Sequence, residues 1–345
     1  MLVEIEASID GTSSYNILFD ESKLRNSTCQ SRRKSSIKTQ RTNCYIRAQD
    51  LRLTDENLNL CKSEHALVSL DGSGLVAVIS GLVTIGLKEA TDESNRWCAT
   101  SSTDKILTKR YKDMKNGVRV NEGATGSWEN AASGKDVLIW SSKCTRPGHG
   151  SDYPVVKARG LIPASASEVV DLLRDSSQVV KYNKMSIGRV DQFILTQQGT
   201  TSVHSLQKCP QLGVVGEVKI MSSKSQPPLV RKPLEFKTLF YARLLDKSDD
   251  VEFDKVAYIT VGRSVWETPE GTTDGKDSST TRCEILLSVN LVRDVTTDSG
   301  TQCCELTSIT HAVSPGVPMF LGKQMGLMAA ENYIKDIRAM FEKQP

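Results

Sequence analysis

From Val190 to Ala312 the chain alternates strand-length apolar runs with short polar breaks, and this rhythm constrains the fold more than any other feature. Val190–Thr196 and Thr201–Leu206 flank Gln197-Gln198-Gly199. Phe236–Leu245 (FKTLFYARLL) and Val256–Trp266 (VAYITVGRSVW) flank an acidic stretch, 246–255. Glu284–Val292 (EILLSVNLV) and Gln302–Ala312 flank Thr296–Gly300. Strands at this spacing, joined by hairpin-like breaks, specify an antiparallel sheet. Residues 267–281 (ETPEGTTDGKDSSTT) read as a polar loop, and 207–233, with Gln226-Pro227-Pro228, as a long loop.

Helical periodicity brackets these strands. Thr103–Lys115 carries Ile106, Leu107, Tyr111 and Met114 at helical spacing, with Thr103 as the cap and Gly117 as the stop. Val137–Ser141 and Val155–Leu161 then read as strands. Ser165-Ala166-Ser167-Glu168 is a capping-box pattern ahead of Val169, Leu172 and Leu173. A short helical piece follows at Val179–Tyr182. The last element opens at Gly316-Val317-Pro318, since proline suits a first helical turn. Its second half is amphipathic: Ala330, Tyr333, Ile334, Ile337, Met340 and Phe341 share one face, opposite Glu331, Lys335, Arg338 and Glu342. Its first half is apolar nearly all round, with only Lys323 and Gln324 polar. A helix end of that kind has two surfaces to hide: one against the sheet, the other against a ligand, a membrane or more protein. Methionines suit a surface that adapts to variable apolar shapes.

The first hundred residues read differently. Lys23 to Arg47 holds eight Lys/Arg and no acid, and Ser27–Thr42 has one aliphatic residue, Ile37. Such a segment buries too little to offset its ordering entropy, so disorder is expected. Arg32-Arg33-Lys34-Ser35-Ser36 suits a basic-directed kinase or an anionic lipid surface, and equally a solvated segment. Ala66–Leu70 and Leu75–Leu87 read as strands, with Asp71-Gly72-Ser73-Gly74 as their turn. The run from Gly74 to Leu87 has 14 residues, short of the ~20 that span a bilayer. The opening residues have no basic n-region and no long apolar core, so no signal peptide is expected.

The chain of 345 residues therefore divides into a partly disordered, unassigned region, 1–100, and one folded domain, 101–345. The class is α+β. The formal charge of +3 gives no case for nucleic acid. Nine cysteines without a CxxC pair read as reduced thiols, and a cytoplasmic location is expected. Four separated histidines offer no metal set, and no GxSxG elbow is present. Gly72-Ser73-Gly74-Leu75-Val76-Ala77 matches G-x-G-x-x-A, but a dinucleotide site requires a helix next and a strand is expected there. No cofactor, metal or catalytic residue is expected, and the protein is not expected to be an enzyme.

The ordered set of elements over 101–343 resembles the START domain, a family of lipid-binding proteins. The residues that carry the resemblance are Pro154–Gly160 (PVVKARG), Ala166–Asp175 (ASEVVDLLRD), Lys181-Tyr182-Asn183-Lys184, Phe240–Arg243 (FYAR), Gly262–Val265 (GRSV), and Gly316-Val317-Pro318 with its helix. Leu234-Glu235-Phe236 departs from an Arg-Asp-Phe found in many members. The resemblance implies a helix-grip fold: a curved antiparallel sheet wrapped around the C-terminal helix, with one lipid in an internal tunnel. It implies a lipid partner that is bound and then transferred or sensed, a transient membrane surface, and a monomer that is peripheral to membranes. Sterol-type members hold an acidic residue and an arginine in the tunnel. Ser205 and Phe240 stand there instead, so a phospholipid or other lipid is expected ahead of a sterol.

Strand alternation selects the lining. One face carries Phe236, Thr238, Phe240, Ala242 and Leu244; another carries Cys283, Ile285, Leu287, Val289 and Leu291. The candidate tunnel residues are thus Val203, Ser205, Phe236, Thr238, Phe240, Ala242, Ile285, Leu287 and Val289, with His311 as a polar contact. Core packing alone would produce the same pattern. Pro318, Met319, Phe320, Leu321, Met325 and Met328 form the candidate lid. Two other functions remain open: an interaction scaffold without a cavity, and an enzyme that uses the cavity.

Overall fold

The computed structural model describes residues 45–47, 67–69, 72–115, 136–144, 149–194, 208–209, 214–228, 230–246, 249, 255–266, 279–296 and 302–342. The expected disorder of 27–42, the basic Arg32–Ser36 segment, the turn residue Asp71, most of the 267–281 loop, and the strand 201–206 with Val203 and Ser205 lie outside these residues.

The capping box forms as the sequence requires. Ser165 Oγ accepts the Glu168 N–H, and Glu168 Oε2 accepts the Ser165 N–H at 2.8 Å, starting α3 (Ala166–Arg174). Ala166 N–H also donates to Asp294 Oδ1 at 2.7 Å, which locks the start of this helix to a neighbouring strand. A single 3-10 turn, Ser176–Gln178, leads into α4 (Val179–Tyr182). The C-terminal helix α5 runs Met319–Glu342. Two helices precede α3 in the chain, α1 (Gly72–Thr91) and α2 (Ser101–Lys115).

The strands are β1 (Tyr45–Arg47), β2 (Leu67–Ser69), β3 (Cys98–Ala99), β4 (Val137–Ser142), β5 (Val155–Ile162), β6 (Ser186–Ile194), β7 (Lys208–Cys209), β8 (Val214–Val215), β9 (Glu217–Ser225), β10 (Leu234–Leu244), β11 (Ala257–Trp266), β12 (Thr281–Arg282), β13 (Glu284–Thr296) and β14 (Gln302–Val313). One sheet takes the order β3-β4-β5-β14-β13-β11-β10-β9-β6, antiparallel throughout. β1 and β12 attach at its side, β12 in parallel to β10. The fold is α+β, an antiparallel sheet with the C-terminal helix on one face.

Cross-strand register assigns the two faces. Ala242, Thr260, Asn290, Ser308, Ala158 and Ile139 lie in one row beneath α5. Tyr241, Val261, Val289 and Ile309 lie in a row on the other face. There they pack with Leu75, Val78, Ile79, Leu82 and Leu87 of α1.

Two sequence expectations are corrected. Residues 75–87 are helix, not paired strands. Leu75, Val78, Ile79, Leu82, Gly86 and Ala90 recur every three to four residues, and Gly86 lets α1 approach so closely that a Cβ there would meet Val261 at 2.9 Å. Burial against the sheet outweighs the modest helix propensity of its β-branched residues. The G-x-G-x-x-A match thus lies inside α1, and β2 before it pairs antiparallel with β1, which is not the βαβ setting a dinucleotide needs. Ile46 and α1, which precede residue 101, belong to the same core as the sheet.

The 207–233 segment is not one long loop either: it holds β9. Val218 and Ile220 face α1 while Glu217, Lys219 and Met221 face the other way, and all five are buried. In α2, Thr103 lies inside the helix and anchors it. Its hydroxyl donates to Ile139 O at 3.1 Å and accepts the Ile139 N–H at 2.8 Å, while Leu107 and Tyr111 are exposed.

Candidate functional site

The α5 face divides into a closed end and an open end. At the closed end, Ile334 and Ile337 are fully buried against Val137, Ala158 and Leu306. Gly160 makes room: a Cβ there would stand 2.6 Å from Ile334 Cγ2. Arg338 Nε donates to Leu161 O at 2.9 Å, and its Nη2 to Asp136 O at 3.2 Å. Tyr333 packs edge-on to Tyr182, with ring centroids 6.0 Å apart, and its hydroxyl donates to Asn290 Oδ1 at 3.4 Å. Burial pushes the Tyr333 phenol well up, so it stays a neutral donor.

At the open end the same helix covers little. Met319 is 51% exposed, Phe320 67% and Met328 43%, and Pro318 is exposed as well. Leu321 and Met325 are half-buried. Beneath this half lies Thr310 of β14. It pairs with Ser288 on one side and Val156 on the other, so it sits inside the sheet on the α5 face. It is nevertheless exposed, and Ser288, Ala312 and Ile285 around it are half-buried.

The candidate tunnel residues separate onto two faces. Phe236, Thr238, Phe240 and Ala242 share the α5 face, with Met221 packed on Phe240 and Ala242. Thr238 Oγ1 is buried without a hydrogen-bond partner. Ile285, paired with Ala312, is on this face too. Leu287, Val289 and His311 are not: Leu287 and Val289 pack with α1, and His311 pairs with Leu287 and Val155. For Leu287 and Val289 the cause is specific. The β13–β14 register shifts between Ile285 and Leu287, and one extra residue reverses the face of everything beyond it. His311 Nε2 donates to Gly150 O at 3.0 Å, a structural tie for the 149–153 turn.

A buried ionic cluster on the α5 face went unread in the sequence. Phe240 pairs across the strands with Lys219, whose ammonium stands 5.5 Å from the Phe240 ring centroid. Lys219 Nζ is 3.1 Å from Asp191 Oδ2 and 3.3 Å from Glu217 Oε1, and it also donates to Arg174 O. Arg174 pairs with Glu217, and Arg189 Nε donates to Ser176 Oγ at 2.9 Å. Charge is therefore present beside Phe240, at positions other than Ser205 and Phe240 themselves. Three acceptors saturate the Lys219 ammonium, so the cluster joins α3 to β9 and β6 and leaves that ammonium no free donor. The signal that could have found it is Glu217-Val218-Lys219-Ile220, an alternation in which the charged residues are as buried as the apolar ones.

No family model matches this chain, and no curated protein sequence matches it. The chain is similar to solved structures of START, or StAR-related lipid transfer, proteins. Human STARD10 is 14% identical, with 77% of this chain and 80% of that chain covered and a TM-score of 0.47. Human StAR-related lipid transfer protein 5 is 12% identical over 78% of this chain and 99% of that one, with a TM-score of 0.48. The STAR-related lipid transfer protein from Xanthomonas axonopodis is 13% identical over 72% and 100%, with a TM-score of 0.42. Among the described residues, no helix is long and apolar enough to cross a membrane.

Proposed function

We propose that this protein binds one lipid between the first half of α5 and the sheet beneath it, and transfers or senses that lipid at membranes without chemical conversion. The observation that carries the proposal is the exposure of Thr310, an interior-strand residue on the face that α5 covers elsewhere. Ile285 shares this face of the sheet, and Leu321 and Met325 are half-buried on the half of α5 above it. The Thr238 hydroxyl, buried and unpartnered, supplies a polar atom for a lipid oxygen. In this role the sheet grips the helix around the ligand, and exposed Met319, Phe320 and Met328 meet the bilayer surface while the lipid exchanges. The protein then acts as a monomer that is peripheral to the membrane.

Mass spectrometry of the protein extracted under native conditions tests this. A co-purifying phospholipid or other lipid at near-equal molar amount is the expected result. A protein that is empty, and that takes no lipid from liposomes, would instead be the interaction scaffold.

A further inference from the structure

The opposite face of the sheet carries a separate feature, independent of the lipid reading. The turn after α1 leaves a cavity of about 130 Å³, lined by residues 92–95 with Trp97, Trp140 and Lys157. Lys157 is only 2% exposed. Its Nζ donates to Asp92 O at 2.7 Å and stands 5.0 Å from the Trp97 ring centroid. No described carboxylate forms an ion pair with it. The acids beside it are engaged elsewhere: Asp92 accepts from Ser94 N–H and from Arg96 Nε, and Glu93 accepts from Arg159 Nη2.

An ammonium held out of water without its own counter-ion shifts toward the neutral amine. Burial, and then the Arg159 charge, bring Lys157 down to about 8, with Glu93 and Asp92 opposing and Arg96 adding to the fall. These are the charged groups that face it: Arg159 beside it on β5, and Asp92, Glu93 and Arg96 from the turn; β4 contributes the Trp140 ring. The side chain is then neutral far more often near pH 7.4 than an ordinary lysine, of which about a thousandth is neutral. In the neutral amine one N–H donates to Asp92 O until the imine forms, and no described group donates to the nitrogen.

We propose that this cavity presents Lys157 as a nucleophilic amine to small carbonyl compounds, aldehydes of a few carbons. The lone pair adds to the carbonyl carbon to give a carbinolamine. Both amine hydrogens then leave with the carbonyl oxygen as water, and the C=N bond of an imine replaces the C=O bond. The cavity is close in size to one of about 150 Å³ that admits benzene, so short aliphatic aldehydes fit and two-ring aldehydes do not.

The test treats the full chain with propanal and cyanoborohydride, which fixes the imine, followed by peptide mapping. At pH 7, Lys157 is expected to label at least about tenfold faster than the exposed Lys323 and Lys335, in line with its larger neutral fraction. Its rate should level off with a midpoint near pH 8, and 2-naphthaldehyde should lose the preference. Labelling of Lys157 no faster than Lys335, a midpoint at the ordinary lysine value, or equal preference with 2-naphthaldehyde would each overturn the proposal.

Discussion

The two halves of α5 meet the same sheet in opposite ways. In the second half, Ile334 and Ile337 are fully buried and Arg338 donates to the carbonyls of Leu161 and Asp136. In the first half, Met319, Phe320 and Met328 stand in solvent and Thr310 beneath is uncovered. Both halves carry an apolar face, so the presence of such a face does not separate them. The difference lies in what the sheet offers. Gly160 lets Ile334 seat on the backbone of β5, whereas the open end has no such seat beneath Leu321 or Met325. One half anchors the fold; the other is the half proposed to exchange a ligand.

Breaking the anchor should have the largest effect on stability. Ile337→Ala removes a fully buried side chain and should cost about 2–5 kcal/mol in urea unfolding. A loss below about 1 kcal/mol would mean that the second half packs no better than the first. The open half should respond in the reverse sense. Met325→Asp with Met328→Asp should abolish lipid transfer between liposomes while costing on the order of 1 kcal/mol, mainly through helix propensity and partial burial. Unchanged transfer would reject a lid role for this segment.

Thr238→Val gives the smallest effect and sharpens the comparison. Its hydroxyl lacks a protein partner, so in lipid-free protein the change should be neutral or stabilising by up to about 1 kcal/mol. In the lipid-loaded protein it should weaken binding roughly fivefold to tenfold, the value of one hydrogen bond. Equal affinity of Thr238→Val and wild type for the extracted lipid would remove Thr238 from the site.

Much of the fold was legible because local rules and tertiary packing agree. The capping box at Ser165 and Glu168, the strand runs of β10, β11, β13 and β14, and the span of α5 all follow from spacing and caps. Reading failed where they disagree. The β-branched run 75–87 favours strand locally, yet its apolar residues fall on one helical face against β11 and β13. In β9, buried Lys219 and Glu217 look like loop residues until their partners Arg174 and Asp191 come from other elements. The candidate site divided in the same manner. Phe236, Thr238, Phe240 and Ala242 kept their shared face, while the shift between Ile285 and Leu287 moved Leu287 and Val289 to the other, where His311 of β14 also lies.

The sequence by itself determined an antiparallel sheet closed by a C-terminal helix, because apolar periodicity is a local property of the chain. Only the tertiary structure decided which face each strand presents, where α1 packs, and which half of α5 is held. Those depend on register, on a one-residue bulge and on partners distant in sequence, and none of these is encoded in the spacing of a single segment.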